Sequence, residues 1–159
     1  MNFFLNVLLI LICFLGFAQK QYDHILNSID SNQSQYEKVA QEIWTYAEMG
    51  YQEEKSSTLL QKTLAEQGFL VKSGVAEIPT AFVATYGSGG PVIGILGEFD
   101  ALPGLSQQAV PYKISNNAKA GHACGHHLFG TASAAAAIAI KNYIKNCLLY
   151  TSPSPRDAT

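Results

Sequence analysis

The spacing of apolar and polar positions predicts two amphipathic helices in the first half of the chain. Apolar residues recur at helical intervals over residues 36–47, with Gln, Glu and Lys between them. Residues 57–67 repeat the pattern with three leucines on one face, and Gly68 follows as a stop signal. Each helix is therefore expected to bury one face.

The pattern then changes to that of strands around a buried centre. Residues 69–75 and 80–86 predict short strands, and residues 91–99 (PVIGILGEF) are apolar without alternation, as in a strand buried on both faces. A long loop is expected over residues 101–120. From Gly130 onward the apolar run TASAAAAIAIKNYIKN predicts a largely buried helix. Helices before and after a central strand predict a layered α/β fold.

The two ends of the chain carry patterns of another kind. Residues 3–17 are apolar but shorter than the about 20 residues of a membrane span. Gly16 and Ala18 form a small-x-small pattern before Gln19, which predicts a signal peptide over residues 1–18 and export to the periplasm or beyond. No Lys or Arg precedes the apolar run, so an N-terminal membrane anchor stays open as the alternative.

The C-terminal stretch CLLYTSPSPRD breaks the helical pattern abruptly and resembles a translated sequencing adapter. Residues 147–159 are therefore predicted to be non-native, and the natural sequence is expected to continue past Asn146. A genuine Pro/Ser-rich tail is the alternative.

Composition narrows the function classes. Hydrophobic residues make up 48% of the chain and charged residues 14%, which excludes a disordered protein. The net charge is −2 and no basic stripe is present, so a nucleic-acid partner is not expected. Of the three cysteines, Cys13 leaves with the signal and Cys147 lies in the tail. Cys124 remains alone, so no disulfide framework is expected.

Two acids lie at the end of the predicted central strand. Glu98 and Asp100 lie at its carboxyl end, which is where open α/β sheets bind ligands. Burying carboxylates there is costly unless a cation or hydrogen bonds compensate. The pair therefore indicates a ligand or metal site, or else a strand that ends in surface acids.

Metal-ligand side chains are concentrated in the stretch GHACGHH. It brings His122, Cys124, His126 and His127 together within six residues. Thiolate and imidazole suit zinc and related divalent ions. Residues two apart cannot share a helix face, so Cys124 and His126 must converge from a turn or extended loop. The alternative is a small buried cysteine beside surface histidines.

Together, ILGEFDALPGLSQQ and GHACGHHLFGTA resemble the aminoacylase and carboxypeptidase family of dinuclear metallopeptidases. Within it they resemble the amidohydrolase branch that contains the B-type subunit of aminobenzoyl-glutamate hydrolase. IWTYAEMGYQEE, GVAEIPTAF and AAAAIAIKNYIKN fit the same branch, so the resemblance covers about residues 29–146. It implies that residues 19–146 are the N-terminal part of a three-layer catalytic domain with a mixed sheet and flanking helices.

The resemblance also implies roles for individual residues. Cys124 and His126 fall on metal-ligand positions, and Asp100 falls on the catalytic acid that flanks the metals and orients a ligand. Glu98 stands where other branches carry a metal-binding His, and His127 replaces an Asp or Asn. Glu98 and His127, together with His122, are therefore expected to support the ligands or to touch the substrate.

The activity implied for the intact protein is hydrolysis of the amide bond in N-acyl or N-aroyl amino acids. Two divalent ions, zinc or manganese, would share a water molecule, and a glutamate would remove its proton. The partners implied are a small-molecule substrate and a homo- or hetero-oligomer, with no stable membrane partner. The remaining ligands and the glutamate are expected beyond Asn146, so this chain alone is expected to be inactive.

Two other functions fit parts of the sequence. The metal-binding stretch also fits an exported metal-binding module without catalysis, and the apolar start also fits a membrane-anchored interaction domain. A paired Glu-Glu segment in the continuation of the gene would favour the hydrolase.

Overall fold

The computed structural model describes Asp23 and residues 25–146. The predicted signal peptide and the predicted non-native tail lie outside these residues. The described residues divide into two compact units, one formed by Gln33–Ile138 and the other by the described residues before Gln33 and after Ile138. No helix of the described part is long and apolar enough to cross a membrane.

The helices follow the predicted pattern closely. They are α1 (Gln33–Tyr46), α2 (Glu54–Glu66) and α3 (His126–Asn146), with a 3-10 turn at Val75–Glu77. Residues 25–30 are also helical. Within this segment, Ser28 Oγ accepts a 3.0 Å hydrogen bond from Nδ2 of Asn142, which lies near the end of α3. The predicted helices are confirmed, although α3 begins at His126 rather than near Gly130.

Within residues 25–146, four short strands form two antiparallel pairs. They are β1 (Leu70–Ser73), β2 (Phe82–Thr85), β3 (Leu102–Pro103) and β4 (Ala120–Gly121). In the first pair Leu70 lies opposite Thr85, and in the second Leu102 lies opposite Gly121. Helices with small antiparallel sheets confirm the α/β class.

The hydrophobic core lies between the three helices and one face of the β1–β2 sheet. Ile43 of α1, Leu60 of α2 and Ile138 of α3 are almost fully buried. Val71 and Phe82 pack against them from the sheet. Burying a side chain of this size contributes about 1.5–3 kcal/mol, so these contacts fix the helices against the sheet.

The prediction of a central strand over residues 91–99 is wrong. Residues 91–99 form no strand, and Val92 and Leu96 are 88% and 73% exposed. A strand needs a neighbour for its backbone N–H and C=O groups, and β1 and β2 pair with each other instead. No described strand pairs with the segment, so the apolar side chains of residues 92–96 stay exposed, while Phe99 packs against the core. The predicted long loop is likewise interrupted by β3 and ends in β4.

Hydrogen bonds fix the connection between α1 and α2. The Glu48 carboxylate accepts from the backbone N–H of Lys55 at 3.0 Å and of Ser56 at 2.9 Å. It thereby satisfies amide groups in the first turn of α2, where a negative charge is favourable. The Glu48 carbonyl accepts from Ala101 N–H at 2.7 Å. This connection therefore anchors the backbone next to Asp100.

Candidate metal centre

The His126 ring lies between two carboxylates. Its Nδ1 is 2.7 Å from Asp100 Oδ1, and its Nε2 is 3.1 Å from Glu98 Oε2. One ligand atom from each of the three residues lies within 4.8 Å of the others. Two acids separated by one residue thus converge on a histidine that is 26 positions further along the chain than Asp100.

Close packing of residues 97–99 on α3 brings the acids to this ring. A Cβ at Gly130 would lie 3.0 Å from both the Glu98 carbonyl oxygen and the Phe99 Cβ. Ser133 Oγ donates a 2.7 Å hydrogen bond to the Leu96 carbonyl. The Phe99 side chain packs against the hydrophobic core, while its two neighbours reach His126. Only a residue without a side chain allows this approach.

His126 is held at the start of α3. Gly125 has a φ of 78°, a conformation that glycine adopts at little cost. Its carbonyl accepts from Leu128 N–H at 2.9 Å and from Phe129 N–H at 3.0 Å, which closes the first turn. The turn therefore fixes the backbone from which the imidazole reaches Asp100.

The three side chains suit a divalent cation. Carboxylate oxygen and imidazole nitrogen are common ligands of zinc and manganese. The contact between Asp100 and His126 Nδ1 matches the carboxylate–histidine arrangement that orients a ligating imidazole. Glu98 and His126 could therefore hold one metal ion while Asp100 orients the imidazole. The side chains of Glu98, Asp100 and His126 are 50%, 31% and 22% exposed respectively.

Cys124 lies outside this group. It is exposed and has a free thiol in a bend before α3. The predicted ligand pair of Cys124 and His126 thus stays a prediction, and the structure adds Glu98 as a candidate ligand on geometric grounds. The sequence pattern pointed to the thiolate because of its donor type, whereas the contact of Glu98 with His126 depends on folding.

The hydrogen bonds of His122 are made with residues outside the group of three. Its Nε2 is 3.1 Å from the Ile43 carbonyl, and its backbone N–H donates to Gln107 Oε1 at 2.7 Å. The Gln107 amide nitrogen in turn donates to the Trp44 carbonyl. The sequence patterns did not mark Gln107, because its partners are backbone groups of distant residues.

His122 and His127 form a neighbouring pair. Their ring centroids are 5.0 Å apart. Each Nδ1 is buried, and neither has a hydrogen-bond partner in the described part of the chain. Burial lowers the pKa of both imidazoles below the ordinary value, and the Ile43 carbonyl opposes this only partly at His122. The pair is therefore suited to the neutral state, in which the two rings pack together without a charge.

The chain is similar in sequence to known hydrolases. The chain is 42% identical to the B-type subunit of p-aminobenzoyl-glutamate hydrolase of Escherichia coli over 130 residues, 80% of the chain and 27% of that relative. It is 30% identical to hippurate hydrolase of Campylobacter jejuni over 124 residues, 77% of the chain and 32% of that relative. No protein-family model matches the chain.

These similarities confirm the resemblance to the amidohydrolase and aminoacylase family that the motifs indicated. The α/β fold is consistent with a fragment of a peptidase domain of that kind. The matched regions cover about a quarter to a third of the length of these curated relatives.

Proposed function

We propose that the intact protein is a metal-dependent amidohydrolase that cleaves N-acyl or N-aroyl amino acids. Both relatives are hydrolases by name, one of p-aminobenzoyl-glutamate and the other of hippurate. The observation that carries the proposal for this chain is the convergence of Glu98, Asp100 and His126 within 4.8 Å. In each named substrate an aroyl group is joined to an amino acid by an amide bond.

The residues of this chain would bind the metal ions and orient their ligands. Asp100 holds His126 at Nδ1 and leaves Nε2 as the coordinating atom, and Cys124 is the further ligand that the motif predicts. Bound zinc or manganese ions, two in the proposal, would supply Lewis acidity and lower the pKa of a bound water. His122 and His127 would shape the surroundings of these ligands.

The proposal extends to partners and location. The first relative is by name one subunit of its enzyme, which supports an assembly with further subunits, either identical or different. The apolar segment before Gln19 supports export by a signal peptide over residues 1–18. Mass measurement of the mature protein tests whether the signal peptide is removed. A chain that starts at Gln19 is expected, and a retained apolar segment would favour the membrane anchor.

The enzymatic test uses the full-length gene product, stripped of metal and then reloaded with zinc or manganese. We expect metal-dependent cleavage of p-aminobenzoyl-glutamate, of hippurate or of both, with release of the free amino acid. We expect no turnover from the 159-residue chain alone, because the match covers 27% of the first relative. Stable metal binding by the full-length protein without cleavage of any N-acyl amino acid would instead favour a metal-binding module.

Cys124 is tested separately in the full-length protein. Cys124→Ser is expected to lower metal content and turnover together, because a hydroxyl is a much poorer zinc ligand than a thiolate. The fold should survive, since the side chain is exposed. Ser88→Ala, which changes an exposed hydroxyl outside the metal-binding group, is the control. Full activity of Cys124→Ser at unchanged metal content would remove Cys124 from the site.

A further inference from the structure

We propose that Glu98 is a direct ligand of the metal ion that His126 binds. The inference deepens the proposed function and rests on its metal dependence. The resemblance that supplied the other roles gives Glu98 no defined task, since related branches carry a histidine at its position. Its role here is argued from its contacts in the fold.

The distance between the two donor atoms fits a shared ion. Glu98 Oε2 lies 3.1 Å from His126 Nε2. Zinc binds carboxylate oxygen and imidazole nitrogen at about 2.0–2.2 Å, so two such donors on one ion lie about 3.0 Å apart at a right angle and about 3.4 Å apart at a tetrahedral angle. The observed separation falls between these limits. The two donors can therefore receive one ion with little movement of either residue.

The orientation of the imidazole singles out Nε2 as the coordinating atom. Asp100 Oδ1 occupies the Nδ1 side at 2.7 Å, which is the arrangement that fixes a metal-binding histidine from behind. In the tautomer that donates from Nδ1 to Asp100, the Nε2 lone pair is free for a metal ion, and Glu98 Oε2 lies beside it. A metal ion bound at Nε2 would therefore have the Glu98 carboxylate as a neighbouring donor.

The backbone around Glu98 keeps its carboxylate near this ring. Its carbonyl oxygen lies close to Gly130 of α3, and the preceding Leu96 carbonyl accepts a hydrogen bond from Ser133. The Glu98 side chain is half exposed, so an ion can reach it from solvent. Of the two acids, Asp100 thus orients the imidazole, while Glu98 faces the entering ion.

The test is metal binding by the full-length protein, measured by calorimetry with zinc and by visible absorption after loading with cobalt, which reports the donor set. Glu98→Gln keeps the size of the side chain and removes its charge. We expect at least a tenfold weaker affinity and an altered cobalt spectrum. Glu98→Asp should recover part of the affinity, because it restores a carboxylate.

Glu77→Gln is the matched control, because it makes the same change at an exposed acid outside the group. Its affinity should equal that of the unmodified protein. Thermal unfolding in chelator separates a lost ligand from a lost fold, and Glu98→Asp gives a second reading if Glu98→Gln fails to fold. Unchanged or tighter zinc binding by Glu98→Gln would overturn the inference, since Glu98 would then only compete with the metal for His126.

The outcomes also separate this inference from the proposed function. Metal-dependent amide hydrolysis with normal metal content in Glu98→Gln would leave the hydrolase intact and remove Glu98 as a ligand. Metal binding that depends on Glu98, without any hydrolysis, would keep Glu98 as a ligand and rule out the proposed hydrolase activity.

Discussion

The two carboxylates that contact His126 differ in a way that predicts different roles. The Asp100 contact is 2.7 Å long and involves a side chain that is 31% exposed, while the Glu98 contact is 3.1 Å long and involves one that is 50% exposed. Water screens the more exposed pair more strongly. Asp100 is thus the better fixed of the two and is suited to orienting the ring.

Asp100→Asn tests this orienting role. The amide can still accept a hydrogen bond at Nδ1 but carries no charge, so the imidazole should be held less firmly and should be a weaker ligand. We expect a loss of about 10–100-fold in metal affinity or activity in the full-length protein. Turnover should fall far more than the free energy of unfolding. Equal zinc affinity and activity in Asp100→Asn would contradict the assignment.

The paired imidazoles of His122 and His127 predict a pH-dependent stability. Burial lowers the pKa of each below the ordinary value of 6.5, so both imidazoles stay neutral in the folded protein at pH values where they are already protonated in the unfolded chain. Below about pH 6.5 the unfolded state therefore binds more protons than the folded state. The free energy of unfolding decreases as the pH is lowered through that range. Above that pH the two residues add no slope.

His127→Phe measures the share of one member of this pair. The variant keeps an aromatic ring beside His122 and removes a titrating group. Urea unfolding in the presence of chelator, followed from neutral to mildly acidic pH, should show a smaller loss of stability than in the unmodified protein. The same pH dependence in both proteins would mean that His127 is not the source.

At the scale of elements, the site depends on how closely residues 97–99 approach α3. A glycine inside a helix, such as Gly130, ordinarily lowers the stability of the helix by about 1 kcal/mol relative to alanine. In this fold a Cβ there would lie 3.0 Å from a backbone oxygen and from the Phe99 Cβ. Neither group is the flexible end of a side chain, so the segment would have to move away from the helix.

Gly130→Ala is therefore expected to destabilise the protein by about 1–3 kcal/mol, as overpacking does, despite the better helix propensity. It should also weaken metal binding, because Glu98 and Asp100 move with the segment. Gly94→Ala is the matched control, since nothing lies within 4 Å of a Cβ at that position. Chemical unfolding and zinc calorimetry give both quantities. A stabilised Gly130→Ala with normal zinc affinity would show that the approach is not needed.

The elements with a strong local period could be predicted from the sequence, whereas the central strand could not. Helix α1 and strands β1 and β2 follow from the spacing of their own apolar residues. The apolar run 91–99 has no period, and its state depends on a neighbouring strand that the described residues do not supply. The same limit applies to Glu98: its type was visible in the sequence, but its contact with His126 depends on Gly130.

At the scale of the whole molecule, the same run leaves apolar surface in contact with water. Val92, Ile93 and Leu96 are 88%, 67% and 73% exposed. Their backbone has no strand beside it among the described residues. Exposed apolar runs of this kind favour association, both through their side chains and through unpaired backbone groups.

We therefore expect the 159-residue chain to self-associate as its concentration rises, with residues 92–96 in the contact. The double variant Val92→Lys and Leu96→Lys should reduce the association, because it places two like charges on that surface and removes two large apolar side chains. Light scattering coupled to size exclusion, over a wide range of concentrations, measures the effect. The matched control is Ser88→Lys with Gln108→Lys, which adds the same charge at other exposed positions. If the control reduced association equally, net charge rather than the apolar run would be responsible, and an unmodified chain that stays monomeric would refute the prediction outright.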